Sequence, residues 1–286
     1  SLEPPVEPIA AWDLRRGLED QIGEADLTVI GQVVRSDQGA ELIDGAYLKS
    51  APLAAPLRQR TLEAWVRLSD LSQQGGGVLS LIGPDDFFDA IVYAEQEPGR
   101  WMAGSEFFRR TSSFGGSEET TARDRPVHVA IVHHQDGTII GYRDGMPYGA
   151  AYRSSGPVEL AAGAAAVLLG CRLEPQGDNR VLSGMIVQAR VYDRALTAEQ
   201  IAASARNDRT FVSRQELAAR LSDDERQHLI EMQRESDRLR NELAALRSRR
   251  TFPTYAAVPT QPAPTRVLLR GDLALPGDEV APDGIE

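Results

Sequence analysis

Between residues 6 and 206, apolar and polar positions alternate in short segments separated by Gly, Asp and Pro. In Thr61-Leu62-Glu63-Ala64-Trp65-Val66-Arg67-Leu68, the residues Leu62, Ala64, Val66 and Leu68 fall on one face. A period of two places successive side chains on opposite faces, so this run predicts a half-buried strand. Val127-His128-Val129-Ala130-Ile131-Val132-His133-His134 predicts a second strand, apolar on both faces. Asp136-Gly137 follows it, then Thr138 to Arg143, then Asp144-Gly145. Asp-Gly between β-type runs is a hairpin signal, because Gly accepts a positive φ at no steric cost. Two such turns in succession predict an antiparallel meander ending near Met146 to Tyr152. Further strands are expected at Val78 to Ile82, Ala90 to Ala94, Ala166 to Gly170 and Met185 to Tyr192. So many short strands, with almost no helical period among them, predict a two-sheet sandwich.

The pattern changes at Thr197, which has Gln200 three residues on. This capping box predicts a short helix over about 198 to 205. Ser213 with Glu216 and Ser222 with Glu225 repeat the signal. Beyond them, Leu229, Met232, Leu239, Leu243 and Leu246 fit the apolar seam of a coiled coil. A helical hairpin using Leu217 and Leu221 fits equally well. The domain reading is therefore a sandwich over 6 to 206, a helical hairpin or coiled coil over 207 to 250, and a Pro-rich stretch over 251 to 286 without a core of its own.

Composition narrows the function classes. The 286 residues are 42% hydrophobic and 26% charged, enough apolar material for a packed core. A net charge of −11 disfavours nucleic acid and anionic membranes as partners. Neutral sugars are unaffected by it. The one cysteine, Cys171, excludes an intramolecular disulfide. No apolar run reaches the length of a membrane helix. The chain opens at Ser1 rather than Met, which reads as a piece of a longer protein.

Catalytic signatures such as GxSxG, the P-loop and HExxH do not occur. Sandwich glycosidases need two carboxylates close together on one strand, and the E-x-D-x-E spacings that supply them are missing. Asp85, Asp86 and Asp89 are closely spaced after a proline. They form a candidate Ca²⁺ set, with turn chemistry as the alternative. The four histidines are too scattered for a zinc site. The stretch FDAIVYAEQEPGRWMAGSEFFRRT, residues 88 to 111, brings Glu95, Trp101, Ser105, Arg109 and Arg110 together in sequence. Tyr142, Tyr148, Tyr152 and Arg153 join them from the meander. Aromatic faces beside polar groups suit sugar rings, so these nine residues are the candidate ligand-binding set. The same residues would also serve as core aromatics with a salt-bridge network at a sheet rim.

TLEAWVRL, VHVAIVHHQDGTIIGYRDGMPYG and GMIVQARVYDRALTAEQIAAS resemble the laminin-G-like, concanavalin A-type lectin/glucanase modules over about residues 9 to 206. This resemblance implies an all-β fold, a two-sheet antiparallel jelly-roll sandwich. FDAIVYAE, RWMAGSEFFRRT and YRDGMPYGAAY further resemble the version embedded in multidomain, cytochrome c-associated proteins of planctomycete-type bacteria. TRVLLRGD followed by PGDEVAP resembles the opening of their next domain of unknown function. Arg270-Gly271-Asp272, an integrin-type tripeptide, is read as part of that opening motif and not as an adhesion loop. The resemblance implies an exported protein, periplasmic or at the cell surface, with polysaccharide and flanking domains of its own chain as partners. It carries no haem into this chain, which lacks the Cys-x-x-Cys-His motif. The leading expectation is a non-catalytic carbohydrate-binding module. A scaffolding module and a glycan hydrolase are the alternatives.

Overall fold

The computed structural model describes residues 6 to 206 except 176 and 178, scattered positions between 222 and 242, and residues 265 to 268, 270 and 276 to 280. The chain divides into two compact units, Ser1–Arg220 and Leu221–Glu286.

The first unit is predominantly β. Its strands are β1 (Ala10–Asp13), β2 (Leu27–Ser36), β3 (Gly39–Ser50), β4 (Arg60–Leu68), β5 (Gly76–Ile82), β6 (Phe88–Tyr93) and β7 (Trp101–Ser105). They continue with β8 (Val127–His133), β9 (Thr138–Arg143), β10 (Met146–Pro147), β11 (Tyr152–Arg153), β12 (Ala166–Leu169) and β13 (Gly184–Tyr192). The hydrogen-bonded order is β10-β9-β8-β4-β13-β3-β12-β5-β6-β7. β4 faces β5 and β6, β6 faces β8, and β7 faces β9, none of them neighbours in that order. The sheet is therefore folded over on itself into two layers, as in a jelly-roll sandwich. β3 makes the fold: it pairs with β13 through Ala40–Leu42 and with β12 through Leu48 and Lys49. Between these segments Asp44 and Gly45 take positive φ values of 49° and 78°, which bends the strand from one layer into the other.

The meander forms as the Asp-Gly turns require. β8 pairs with β9 from Val129↔Arg143 to His133↔Ile139. Gly137 (φ 90°) and Gly145 (φ 78°) sit at the turns. Leu62, Ala64, Val66 and Leu68 all point into the main core, with Trp12, Leu48, Leu79, Ile91, Val129 and Val191. The other face of β4 was expected to meet water, but Thr61 and Glu63 are fully buried as well. The cover is a helix, α1 (Ala198–Arg206), lying over a second cluster of Ala130, Val132, Tyr142, Tyr192, Leu196 and Ile201. Its N-terminus carries the expected capping box: the Thr197 N–H donates to Gln200 Oε1 (2.9 Å) and the Gln200 N–H to Thr197 Oγ1 (3.3 Å).

In the second unit, the Ser222 N–H donates to Glu225 Oε2 (2.8 Å), so that capping box also forms. Met232 and Leu239 are exposed. Leu217, Leu221, Leu229, Leu243, Leu246 and the Ser213–Glu216 pair lie outside the described residues. The tail expected to be irregular contains an antiparallel pair, β14 (Thr265–Leu268) with β15 (Pro276–Val280). Arg270, just after β14, has φ 58°; Gly271 and Asp272 lie outside the described residues.

Candidate functional site

The nine candidate ligand-binding residues separate into distinct environments. Asp89, the second residue of β6, pairs directly with Ser105, the last of β7, so both lie at one end of the sandwich. Arg110 returns to them from the segment after β7. Its Nε donates to Asp89 Oδ1 (3.0 Å), its Nη1 to Glu106 Oε1 (2.7 Å) and its Nη2 to the Phe88 carbonyl (3.1 Å). Its backbone N–H donates to Ser105 Oγ (2.9 Å), and its carbonyl accepts from the Tyr152 hydroxyl (2.9 Å). From β4, Arg60 places Nε 3.0 Å from Asp89 Oδ2 without the alignment of a hydrogen bond, so this contact is charge against charge. His133 Nδ1, at the end of β8, is 3.8 Å from the same oxygen. The Phe87 ring lies beneath both guanidiniums, 5.4 Å from Arg60 and 4.9 Å from Arg110.

Dehydration sets the electrostatics of this clamp. Burial draws the Arg60 guanidinium below its ordinary value, although Asp89 opposes the shift. Burial acts the same way on Arg110, but the hydrogen bond to Glu106 and the charge of Asp89 outweigh it and hold Arg110 above its ordinary value. Burial drives His133 down to about 4, helped by Arg60 and Arg110 and resisted by Asp89, so its ring is neutral at pH 7. Asp89 is completely buried, whereas Asp85 and Asp86 are exposed on the preceding turn with φ of 57° and 58°. The three candidate Ca²⁺ carboxylates therefore do not converge: one faces the interior and two face water on a turn. Among the described residues, no group of three or more His, Cys, Asp or Glu side chains could hold a metal ion.

Trp101 belongs to a different network. It is 2% exposed, and its indole N–H donates to Glu119 Oε2 (2.8 Å). Arg143 Nε donates to the same oxygen (2.6 Å), and the Thr121 and Ala122 N–H groups donate to Glu119 Oε1. Burial raises the Glu119 carboxyl, but the bonds from Arg143, Trp101 and Thr121 override it and bring it to about 2. The Tyr148 hydroxyl accepts from the Trp101 N–H (3.3 Å) and donates to the Ser117 carbonyl. Glu95 pairs with Arg172 away from both networks. Tyr142 lies under α1. Arg109 and Arg153 are exposed.

The clamp holds up a tip. Between Glu106 and Arg110, Phe107 and Phe108 take φ of 48° and 56°. Bulky residues avoid this left-handed region, at a cost of about 1–3 kcal/mol each. Their side chains are nonetheless 79% and 45% exposed. The Arg109 guanidinium carbon stands 5.6 Å from the Phe107 ring centroid. The sequence reading chose Arg109 here but not the two phenylalanines. It also missed Arg60, Glu106, Glu119 and His133, and a further buried set under α1. In that set Glu63 accepts from the Tyr192 (3.0 Å) and Ser204 (2.8 Å) hydroxyls, with His128 Nε2 3.3 Å away.

Comparison with known proteins places this geometry. The family model described as the concanavalin A-like lectin/glucanases superfamily matches residues 43–202. No curated protein sequence matches the chain. Among solved structures, domain 4 of AbnA, a GH43 extracellular arabinanase from Geobacillus stearothermophilus in complex with arabinotriose, is similar at a TM-score of 0.55 and 17% identity. The match covers 71% of this chain and all of that one. The botulinum neurotoxin serotype G binding domain is similar at a TM-score of 0.52 and 15% identity, over 70% of this chain and half of the toxin domain. At these identities the likeness is one of fold.

Proposed function

The chain belongs to the concanavalin A-like lectin/glucanases superfamily, and from that premise we propose that it is a non-catalytic carbohydrate-binding module of a larger exported bacterial protein, working in the periplasm or at the cell surface. The observation that carries the non-catalytic part is the state of its interior carboxylates. Asp89, Glu106, Glu119 and Glu95 are each tied to an arginine, and Glu63 to His128, Tyr192 and Ser204. A glycosidase needs a carboxylic acid and a carboxylate that both face the scissile bond. Asp89 and Glu106 instead grip opposite sides of one guanidinium. The carbohydrate part is supported by the fold and by its arabinotriose-bound neighbour.

A scaffolding role for flanking domains is the second reading. It is favoured by the burial of Trp101, Ser105, Arg110 and Tyr148 in intramolecular networks. A polysaccharide array followed by calorimetry on the full chain, with and without Ca²⁺, separates the two. Saturable binding to one glycan class is expected; the absence of binding to every polysaccharide would leave scaffolding. Trp101→Ala is unsuited to this test, because it opens the core.

A further inference from the structure

We propose that the ligand contact of this module is the tip Phe107-Phe108-Arg109, and that it takes a neutral glycan chain. The inference rests on the carbohydrate-binding reading and assigns it a place. Neither phenylalanine belongs to a buried core cluster among the described residues. Two successive phenylalanines occupy backbone positions that favour glycine, and both expose their rings. In return, the residues on either side are fixed more firmly than any simple turn requires. Glu106 and Arg110 are joined by two side-chain hydrogen bonds, and Asp89, the Phe88 carbonyl, Ser105 Oγ and the Tyr152 hydroxyl engage the same arginine. The clamp thus holds a locally unfavourable loop with its aromatic groups facing water.

The chemistry of the tip points to a sugar. A pyranose or furanose offers an apolar C–H face and a rim of hydroxyls. Arg109 stands over one face of the Phe107 ring, 5.6 Å from its centroid, and supplies donors beside the exposed remainder of that ring. The exposed neighbours Asp85 and Asp86, on the turn whose Phe87 packs against Arg110, supply acceptors from the same end of the sandwich. Two rings within a polar surround are too small for a stable protein interface, which needs roughly 800 Å² per partner. A net charge of −11 opposes acidic glycans and anionic lipid surfaces.

The test uses the full chain and a panel of neutral polysaccharides (arabinan, xylan, mannan, β-glucan), with pectate and phosphatidylcholine vesicles alongside. The double variant Phe107→Gly with Phe108→Gly removes the rings and suits the backbone. Arg109→Ala removes the donor. We expect the double variant to lose binding to the best neutral glycan at least tenfold, Arg109→Ala to lose it several-fold, and the double variant's melting temperature to stay level or rise. Glycan affinity retained within twofold in the double variant would overturn the tip and leave the carbohydrate-binding reading intact. A melting temperature lowered by several degrees would show that the rings serve the fold, and would overturn the tip as well. Vesicle or pectate binding that the double variant abolishes, with neutral glycans inert, would replace the neutral glycan by that ligand. Binding to none of the panel would overturn the tip and the carbohydrate-binding reading together.

Discussion

Replacing Asp89 by Asn removes one negative charge from the clamp while keeping its volume. Asp89 is the carboxylate at salt-bridge distance from Arg60, at 3.0 Å, and it also binds Arg110 at 3.0 Å. All three side chains are nearly or wholly inaccessible to water. In Asp89→Asn, Arg60 keeps the Val158 carbonyl (2.9 Å), the face of Phe87 and the more remote charge of Glu106, and two buried guanidiniums share that one carboxylate across a neutral amide. Breaking a buried pair from one side costs roughly 3–5 kcal/mol, because the abandoned charge stays dehydrated. For a module of this size each kcal/mol moves the melting temperature by roughly 2–4 °C, so a fall of roughly 6–20 °C is expected. Urea unfolding followed by tryptophan fluorescence, with calorimetry in parallel, measures both quantities. The exposed pair Arg58–Glu159 (2.7 Å) is the internal control. Removing Glu159 there is expected to cost less than about 1 kcal/mol. If Asp89→Asn cost no more than that control, Arg60 and Arg110 would have to be hydrated, and the clamp could not hold the tip.

His133 titrates near 4 in the folded chain and near 6.5 unfolded, so folding favours its neutral form; stability is full above pH 6.5 and falls as pH drops toward 4. His133→Gln should flatten that slope in melts taken between pH 7 and 4, and an unchanged slope would place the titration elsewhere. Glu119, held near 2 against 4.5 unfolded, contributes stability above pH 4.5 that is lost as pH falls toward 2; Glu119→Gln should shrink that acid-side loss in the same melts. Gly149 has φ 69°, and a Cβ there would lie 2.0 Å from the Phe114 carbonyl oxygen, so Gly149→Ala should lower the denaturation midpoint strongly, whereas Gly156→Ala, with open space around it, should cost only its backbone strain.

Period-two alternation located β4, the doubly apolar run located β8, and the flanking Asp-Gly turns located β9; β13 was also placed to within a residue, and β8 and β13 are buried on both faces. Alternation did not locate β2 and β3. Most of β2 is exposed on both faces, and the bulges at Gly31 and at Asp44-Gly45 break the alternation where β3 changes layer. At the site, the sequence marks the stretch between Asp89 and Arg110 as rich in polar and aromatic groups. What the sequence could not supply was direction. Trp101 and Ser105 lie four residues apart on one strand, yet they serve separate networks. Arg60, the first residue of β4, meets Asp89 through tertiary packing alone and carries no local signal. Phe107 and Phe108 carry no local signal of exposure, since bulky aromatics are usually buried. Their exposure follows from a backbone conformation that no pattern of side chains reveals.

The place of β13 bears on how the module comes into being. Its last strand lies at the centre of the sheet, with β4 along one edge and β3 and then β1 along the other. Residues 10 to 13 and 60 to 68 therefore wait for residues 184 to 192 before their pairing is complete. A chain emerging from the ribosome holds most of its strands with the middle of the sheet still absent. Folding must be late, dominated by distant pairings, and slow. Until β13 arrives, the flanks of that gap are open strand edges, which are the surfaces most prone to pair with a neighbouring chain. The strand that closes the sandwich is thus the last of its strands to be made.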